Sequence, residues 1–242
     1  MRKFTASDDL KPNPITIPFK EVSVKRLISM MAAGAVILAF LSPVSCMKEK
    51  GRMSKEEMKS MVSAPEFDLK TAMRKLWEDH VTWTRNFIVS SLAGLDDAGK
   101  VAERLLRNQD DIGNAVKPYY GEEAGNKLSA LLRDHILIAA DVVKAAKSGN
   151  QKNLEMKSQT WTANADTLAS FLSTANPNWT KAGLEDMLHK HLEYTTGEVV
   201  ARLKKNWSAD IESYDRGHEH MLMFADLLAD GIIKQFPEKF KP

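Results

Sequence analysis

His135-Ile-Leu-Ile-Ala-Ala-Asp141-Val-Val and His220-Met-Leu-Met-Phe-Ala-Asp226-Leu-Leu are one pattern met at two places in the chain. A histidine leads, apolar residues follow, and an aspartate stands six residues on. A second pair, His80-Val-Thr-Trp-Thr84 and His191-Leu-Glu-Tyr-Thr195, carries a threonine at i+4 instead. All four histidines sit among apolar residues spaced at three- and four-residue steps, the buried stripe of an amphipathic helix. The spacing predicts an all-α, antiparallel bundle of about six helices, with an internal duplication of a helical hairpin and a histidine layer inside.

Outward from these stretches the same periodicity predicts six helices, at about 66–95, 97–116, 122–148, 152–174, 180–205 and 208–236. Gly94, Gly149-Asn150 and Asn176-Pro177-Asn178 mark the ends, where Gly and Pro stop helices. Pro118-Tyr119-Tyr120-Gly121 reads as the break between the second and third helices, and Ser208 as the N-cap of the sixth. No segment alternates with period two over a useful length, so no strand is expected.

Residues 27–44 contain no charge, Lys25-Arg26 precede them and Cys46 follows. A basic start, an apolar core and a small residue before a cleavage point describe an export signal. The one cysteine in the chain stands where a bacterial lipoprotein is cleaved and lipidated, with Ser45 fitting the preceding position and Pro43 departing from the usual Leu. The alternative is an uncleaved membrane helix, because eighteen uncharged residues just span a bilayer. Either way the protein is expected outside the cytoplasm, anchored to the cell membrane. Residues 1–46 are therefore read as leader or anchor, 47–65 as a tether, and 66–242 as the bundle. Lys20-Glu21-Val22 can be encoded as a ribosome-binding site with Val24 as a GTG start, which would make 1–23 an annotation artefact; the codons decide it.

Residues 1–46 hold six Lys/Arg and three Asp/Glu, so of the 34 bases and 32 acids in the whole chain the remainder is almost balanced. Such a domain has no basic field for a nucleic-acid backbone. One cysteine allows no intrachain disulfide, no cysteine-built zinc site and no iron–sulfur cluster.

Counting from the turn at Asn206 places His191 and His220 at nearly the same height, about 20 Å from it. His80 and His135 make the matching pair. Neutral imidazole is the commonest transition-metal ligand, so His80, His135, His191 and His220 are candidate ligands for copper, zinc or haem. The Glu-x-x-His motif of carboxylate di-iron bundles is absent. The competing reading is packing, in which the histidines hydrogen-bond across helices while Thr and Asp neighbours serve both ring nitrogens. His189 and His218 fall off the stripe and are expected in solvent.

Candidate ligand-binding residues are His80, Trp83, Arg85, Asn108, Asp111 and Tyr120. Arg85-Asn86 offers an anion contact or a solvated edge. The polar run Arg107-Asn108-Gln109-Asp110-Asp111-Ile112-Gly113 can line a ligand mouth, or cap a helix and start a turn. Trp77, Trp83, Tyr119 and Tyr120 form an aromatic wall or core anchors. There is no Gly-x-Ser-x-Gly, phosphate loop or Gly-x-Gly-x-x-Gly. The expected role is binding of a small ligand or an envelope partner.

The stretches Trp77-Glu-Asp-His80-Val-Thr-Trp-Thr-Arg85, Asn108-Gln-Asp-Asp-Ile-Gly113, Pro118-Tyr-Tyr-Gly121, His135-Ile-Leu-Ile-Ala139 and Ala175-Asn-Pro-Asn-Trp179 resemble a family of exported bacterial helical proteins, largely from spore-forming and related bacteria. The resemblance covers about 76–240. It implies an extracytoplasmic helical fold and no mechanism. Some members carry a glycosyltransferase label, which this sequence does not support: the domain has no Asp-x-Asp and no strand–helix alternation to build a nucleotide-sugar fold.

Overall fold

A computed structural model describes residues 63–241. The leader, its Val24 start, Cys46 and all but the last residues of the expected tether lie outside the described residues. Five helices follow in order: α1 Ala64–Ala93, α2 Ala98–Ser148, α3 Gln151–Ala175, α4 Lys181–Leu203 and α5 Trp207–Gln235, before a short 3-10 turn at Pro237–Phe240. Among the described residues there is no strand, and no helix is long and apolar enough to cross a membrane.

α1 starts at a capping box. The Ser63 hydroxyl accepts from the Glu66 amide at 3.3 Å, and the Glu66 carboxylate accepts from the Ser63 amide at 3.2 Å. Two of the helix's orphan amides are thereby satisfied. Pro65 sits in the first turn, where its missing N–H costs nothing. It opens the helix, where the sequence pattern has it closing the tether. The Ser63 hydroxyl also donates to the Phe240 carbonyl at 2.7 Å, tying the start of the bundle to its end.

The expected second and third helices are the two arms of α2, broken at Gly121. The chain stays helical through Pro118, Tyr119 and Tyr120, and only Gly121, at φ 83° and ψ 171°, leaves the helical region. The turn therefore rests on one residue that lacks a Cβ and adopts positive φ without strain. The two arms of α2 fold back on each other. A Cβ added at Gly113 would lie 2.5 Å from the Gly125 carbonyl, and one added at Gly125 would lie 2.7 Å from the Gly113 carbonyl. Further along, Arg133 donates to the Leu106 carbonyl at 3.2 Å and to Asp110 at 2.9 Å.

Asn150, Thr180 and Asn206 cap α3, α4 and α5 through their side chains. Asn206, not Ser208, is the cap of the last helix, so the break after α4 is shorter than its polar sequence suggests. Neighbouring helices close a ring, α1 against α2 and α5, α2 against α3, α3 against α4 and α4 against α5. Met73, Trp77, Ile112, Leu168, Leu184, Phe224 and Ile232 fill it, each almost wholly buried. Ser63, Gly121 and Gln235 lie at one end of the bundle. The α1–α2, α2–α3 and α4–α5 turns lie at the other, called here the far end.

Candidate functional site

His80 from α1, His135 from α2, His191 from α4 and His220 from α5 all point into the ring, at 2%, 3%, 4% and 7% exposure. The His80 and His191 ring centres are 5.6 Å apart, and those of His135 and His191 are 6.1 Å apart. His191 is thus the centre of the layer. His220 leans away, edge-on to Tyr194 at 5.6 Å, and its Nε2 bonds the Met187 carbonyl at 2.8 Å.

The partners of these rings are not the ones the neighbouring sequence offers. Thr84 and Thr195 turn their hydroxyls back to the carbonyls of His80 and His191, at 2.7 and 2.9 Å. Asp141 pairs with Lys157 and Asp226 with Arg74 on the outside of the bundle. His135 is served instead from α3. Its Nε2 accepts from the Trp161 indole at 3.1 Å, and its Nδ1 meets the Asn164 carboxamide oxygen at 2.7 Å. Indole nitrogen only donates, so the His135 proton belongs on Nδ1. Nδ1 of His80 and of His191 has no hydrogen-bond partner, nor has Oε1 of Gln109 or Nε1 of Trp77.

Burial disfavours the imidazolium form. It pushes His80 down to about 3, with the like charge of His135 adding to it. It pushes His135 down to about 4 against the opposing Asn164 bond. His191, surrounded by the other three, falls well below the ordinary value. All three rings are neutral at neutral pH. Neutral rings suit a metal, but both nitrogens of His135 and one of His220 already have partners. Among the described residues no group of three or more His, Cys, Asp or Glu is arranged to hold a metal ion.

A second polar cluster lies toward the far end. Arg85 of α1 reaches Asp210 of α5 through both terminal nitrogens and Glu198 of α4 at 2.8 Å. Arg202 adds a bond to Asp210 at 2.8 Å. Burial works against charge on Asp210, but three guanidinium bonds outweigh it and hold its carboxyl below the ordinary range. Glu198 accepts one such bond, and burial pushes it up to about 7. A cavity of about 10 Å³, room for at most one water, is bordered by His191, Glu198, Ser213 and Tyr214 among others. It joins this cluster to the histidine layer.

The six candidate ligand residues do not converge. Asn108 and Gln109 are fully buried in mid-helix, bonded to the Leu76 and Leu105 carbonyls. The polar run therefore neither caps a helix nor starts a turn. Asp111, on the outer face of the same arm, is exposed. Trp83 lies under the Arg104 guanidinium at 5.0 Å. Tyr120 is at the opposite end from Arg85, bonded to Gln235 and Asn176 at 2.8 Å each. Trp77 is core, and Tyr119 stacks on Phe240. His189 and His218 face outward and meet Asp166 and Glu78. Glu198 and Asp210 are the polar residues the stripe reading misses. Extending 184, 188, 191 and 195 by three reaches Glu198, so a heptad count flags a carboxylate on the buried face.

Compared with protein-family models, with curated proteins and with solved structures, the chain gives no match.

Proposed function

We propose that the protein is an extracytoplasmic, membrane-anchored helical bundle of a bacterial envelope that binds a partner or a small ligand and carries out no chemistry of its own. The observation that carries this reading is how the core polar groups are used. His135 is held at both nitrogens, Arg85 and Arg202 are paired with Asp210, and the buried imidazoles are neutral. A general base needs a titration near working pH and reach to a substrate proton. The histidine layer offers neither. The signal-like stretch before Cys46 and the resemblance to exported helical proteins support the location.

The duplicated hairpin belongs to the same reading. His80–Thr84 and His191–Thr195 make the same hydroxyl-to-carbonyl bond across one helical turn. Thr160 and Thr167 make that bond as well, so what supports a common origin is the matched sequence, a histidine with threonine at i+4 on a buried stripe.

A second reading, a transition-metal or cofactor bundle, draws on the unpartnered Nδ1 atoms of His80 and His191. Metal analysis of protein from supplemented medium separates the two readings. Stoichiometric copper, zinc or iron, lost with unfolding under chelator, overturns the binding-only reading. Anchoring is tested by expressing the full chain in a bacterial host. Membrane fractionation with a lipid-modified Cys46 by mass spectrometry is expected, and Cys46→Ala protein is expected to lose the modification. A cytoplasmic fraction overturns the location.

A further inference from the structure

The bundle has a hollow that the histidine layer does not use. It lies between that layer and the far end, where α3 stands off the core. No residue from 151 to 160 is fully buried; burial on α3 begins at Trp161. The cause is in the sequence. Gln151-Lys-Asn-Leu-Glu-Met-Lys-Ser-Gln-Thr160 turns one apolar side chain, Leu154, toward α4, which is too little to close the wedge. The cavity left there is about 40 Å³. Trp161, Thr84 and Thr195 line it on the side of the histidine layer, and Ala139, Ala146 and Val200 toward the far end. The two threonines direct their hydroxyls to the His80 and His191 carbonyls. What they leave for the cavity is methyl, so its wall is apolar throughout.

An empty apolar hollow of this size costs about 1 kcal/mol at roughly 24 cal/mol per Å³. It is too apolar to hold water stably. It is about three times the space one water needs and well short of the roughly 150 Å³ that admits benzene. A chain end fits; a ring does not. Val200 belongs to the lining and is 38% exposed, so the slot reaches the surface there, and Leu203 on the next turn of α4 is 40% exposed. Lys204 follows one turn after Val200 on the same face of the chain, and is exposed. The exposed edge of the lining at Val200 thus lies one helical turn from a cation.

We propose that this slot takes the end of one unbranched alkyl chain whose anionic head group lies against Lys204. The inference rests on the binding reading above and names the class of its ligand. A free fatty acid and a single-chain phospholipid share this chemistry.

The test uses residues 53–242, which contain the whole described bundle, with helicity checked by circular dichroism. Decanoate, decanol, lysophosphatidylglycerol and benzene are titrated by calorimetry. Saturable binding of decanoate or lysophosphatidylglycerol is expected, the tighter of the two naming the source, with benzene at least tenfold weaker. Ala139→Leu fills the slot, and is expected to weaken both anionic ligands at least tenfold with an unchanged or higher Tm. Ala146→Leu does the same nearer the far end, and serves if the first variant misfolds. Lys204→Glu is expected to weaken decanoate several-fold and leave decanol unchanged. Absence of saturable binding, indifference to both filling variants, or benzene as tight as decanol each overturns the proposal. An anchored protein with a slot that binds nothing overturns this inference alone; a cytoplasmic protein that binds decanoate overturns the location and leaves the slot.

Discussion

The indole N–H of Trp161 points at Nε2 of His135 from 3.1 Å, across the α2–α3 contact. With Asn164 on the other nitrogen, at 2.7 Å, one neutral tautomer is fixed and α3 is held in register on α2. Trp161→Phe keeps most of the apolar contact and removes the donor. The ring nitrogen is then buried and unpaired, at a cost of about 1–3 kcal/mol. His135→Leu in the same chain removes the orphan, so the double variant is expected to lose less than the two single losses combined. Urea unfolding of the three variants measures this; strict additivity would show that the two residues do not interact.

The neutral histidines set an acid limit on the fold. In the unfolded chain each imidazole titrates at 6.5, whereas folded His80 and His135 are pushed down to about 3 and about 4 and burial holds His191 well below its ordinary value too. The unfolded state therefore takes up protons first. The stability these groups contribute is complete above pH 6.5 and is lost as pH falls from there toward about 3. Glu198 works the other way, because its folded value, about 7, lies above its unfolded 4.5. Three histidines outnumber one glutamate, so stability is expected to fall as pH drops from 7 to 5. Urea midpoints at pH 7 and pH 5 test it. Equal midpoints would show that the folded imidazoles protonate freely.

Two acids on one arginine should respond with opposite signs. Asp210, 1% exposed and held by Arg85 and Arg202, leaves two guanidinium groups short of a partner when replaced. Asp210→Ala is expected to cost about 3–5 kcal/mol, the range for breaking a buried pair. Glu198 is the carboxylate that burial disfavours. Glu198→Gln keeps the shape, drops the charge, and is expected to leave stability at pH 8 unchanged or raised. Thermal melts of both variants at pH 8 decide it; equal losses would mean that Arg85 supports both carboxylates alike.

The helical fold and the burial of all four histidines follow from periodicity alone, because each stripe repeats at three and four residues. Helix periodicity says which face is inside, but not which neighbour it meets. Asn164 and Trp161 are 29 and 26 residues from His135, and nothing local marks them as its partners. Thr84 and Thr195 mislead for the opposite reason: an i+4 hydroxyl finds its own helix's carbonyl before any ring. Asn108 and Gln109 read as turn residues because polar side chains favour caps. They are buried because Leu105 and Leu76 offer carbonyls within reach. The slot leaves a faint trace, the scarcity of apolar residues in 151–160, which gains meaning once α4 is known to lie opposite.

The hairpin inside α2 gives the most local prediction. Gly113→Ala would place its Cβ 2.0 Å from the Ser129 hydroxyl oxygen and 2.5 Å from the Gly125 carbonyl oxygen. The serine can rotate away; the carbonyl is fixed in the facing arm. Relief requires the two arms to separate, and overpacking of this kind typically costs about 1–3 kcal/mol. Adding Ser129→Gly removes the mobile obstacle and leaves the carbonyl, so the double variant is expected to recover little. Gly99→Ala on the same helix is the control. Nothing lies within 4 Å of its Cβ, and alanine in a helix is favoured over glycine by about 0.5–1 kcal/mol. The two glycine variants are therefore expected to shift the urea midpoint in opposite directions, downward at 113 and upward at 99. A rise at both positions would mean that the arms do not touch backbone to backbone, and the turn at Gly121 would then be open.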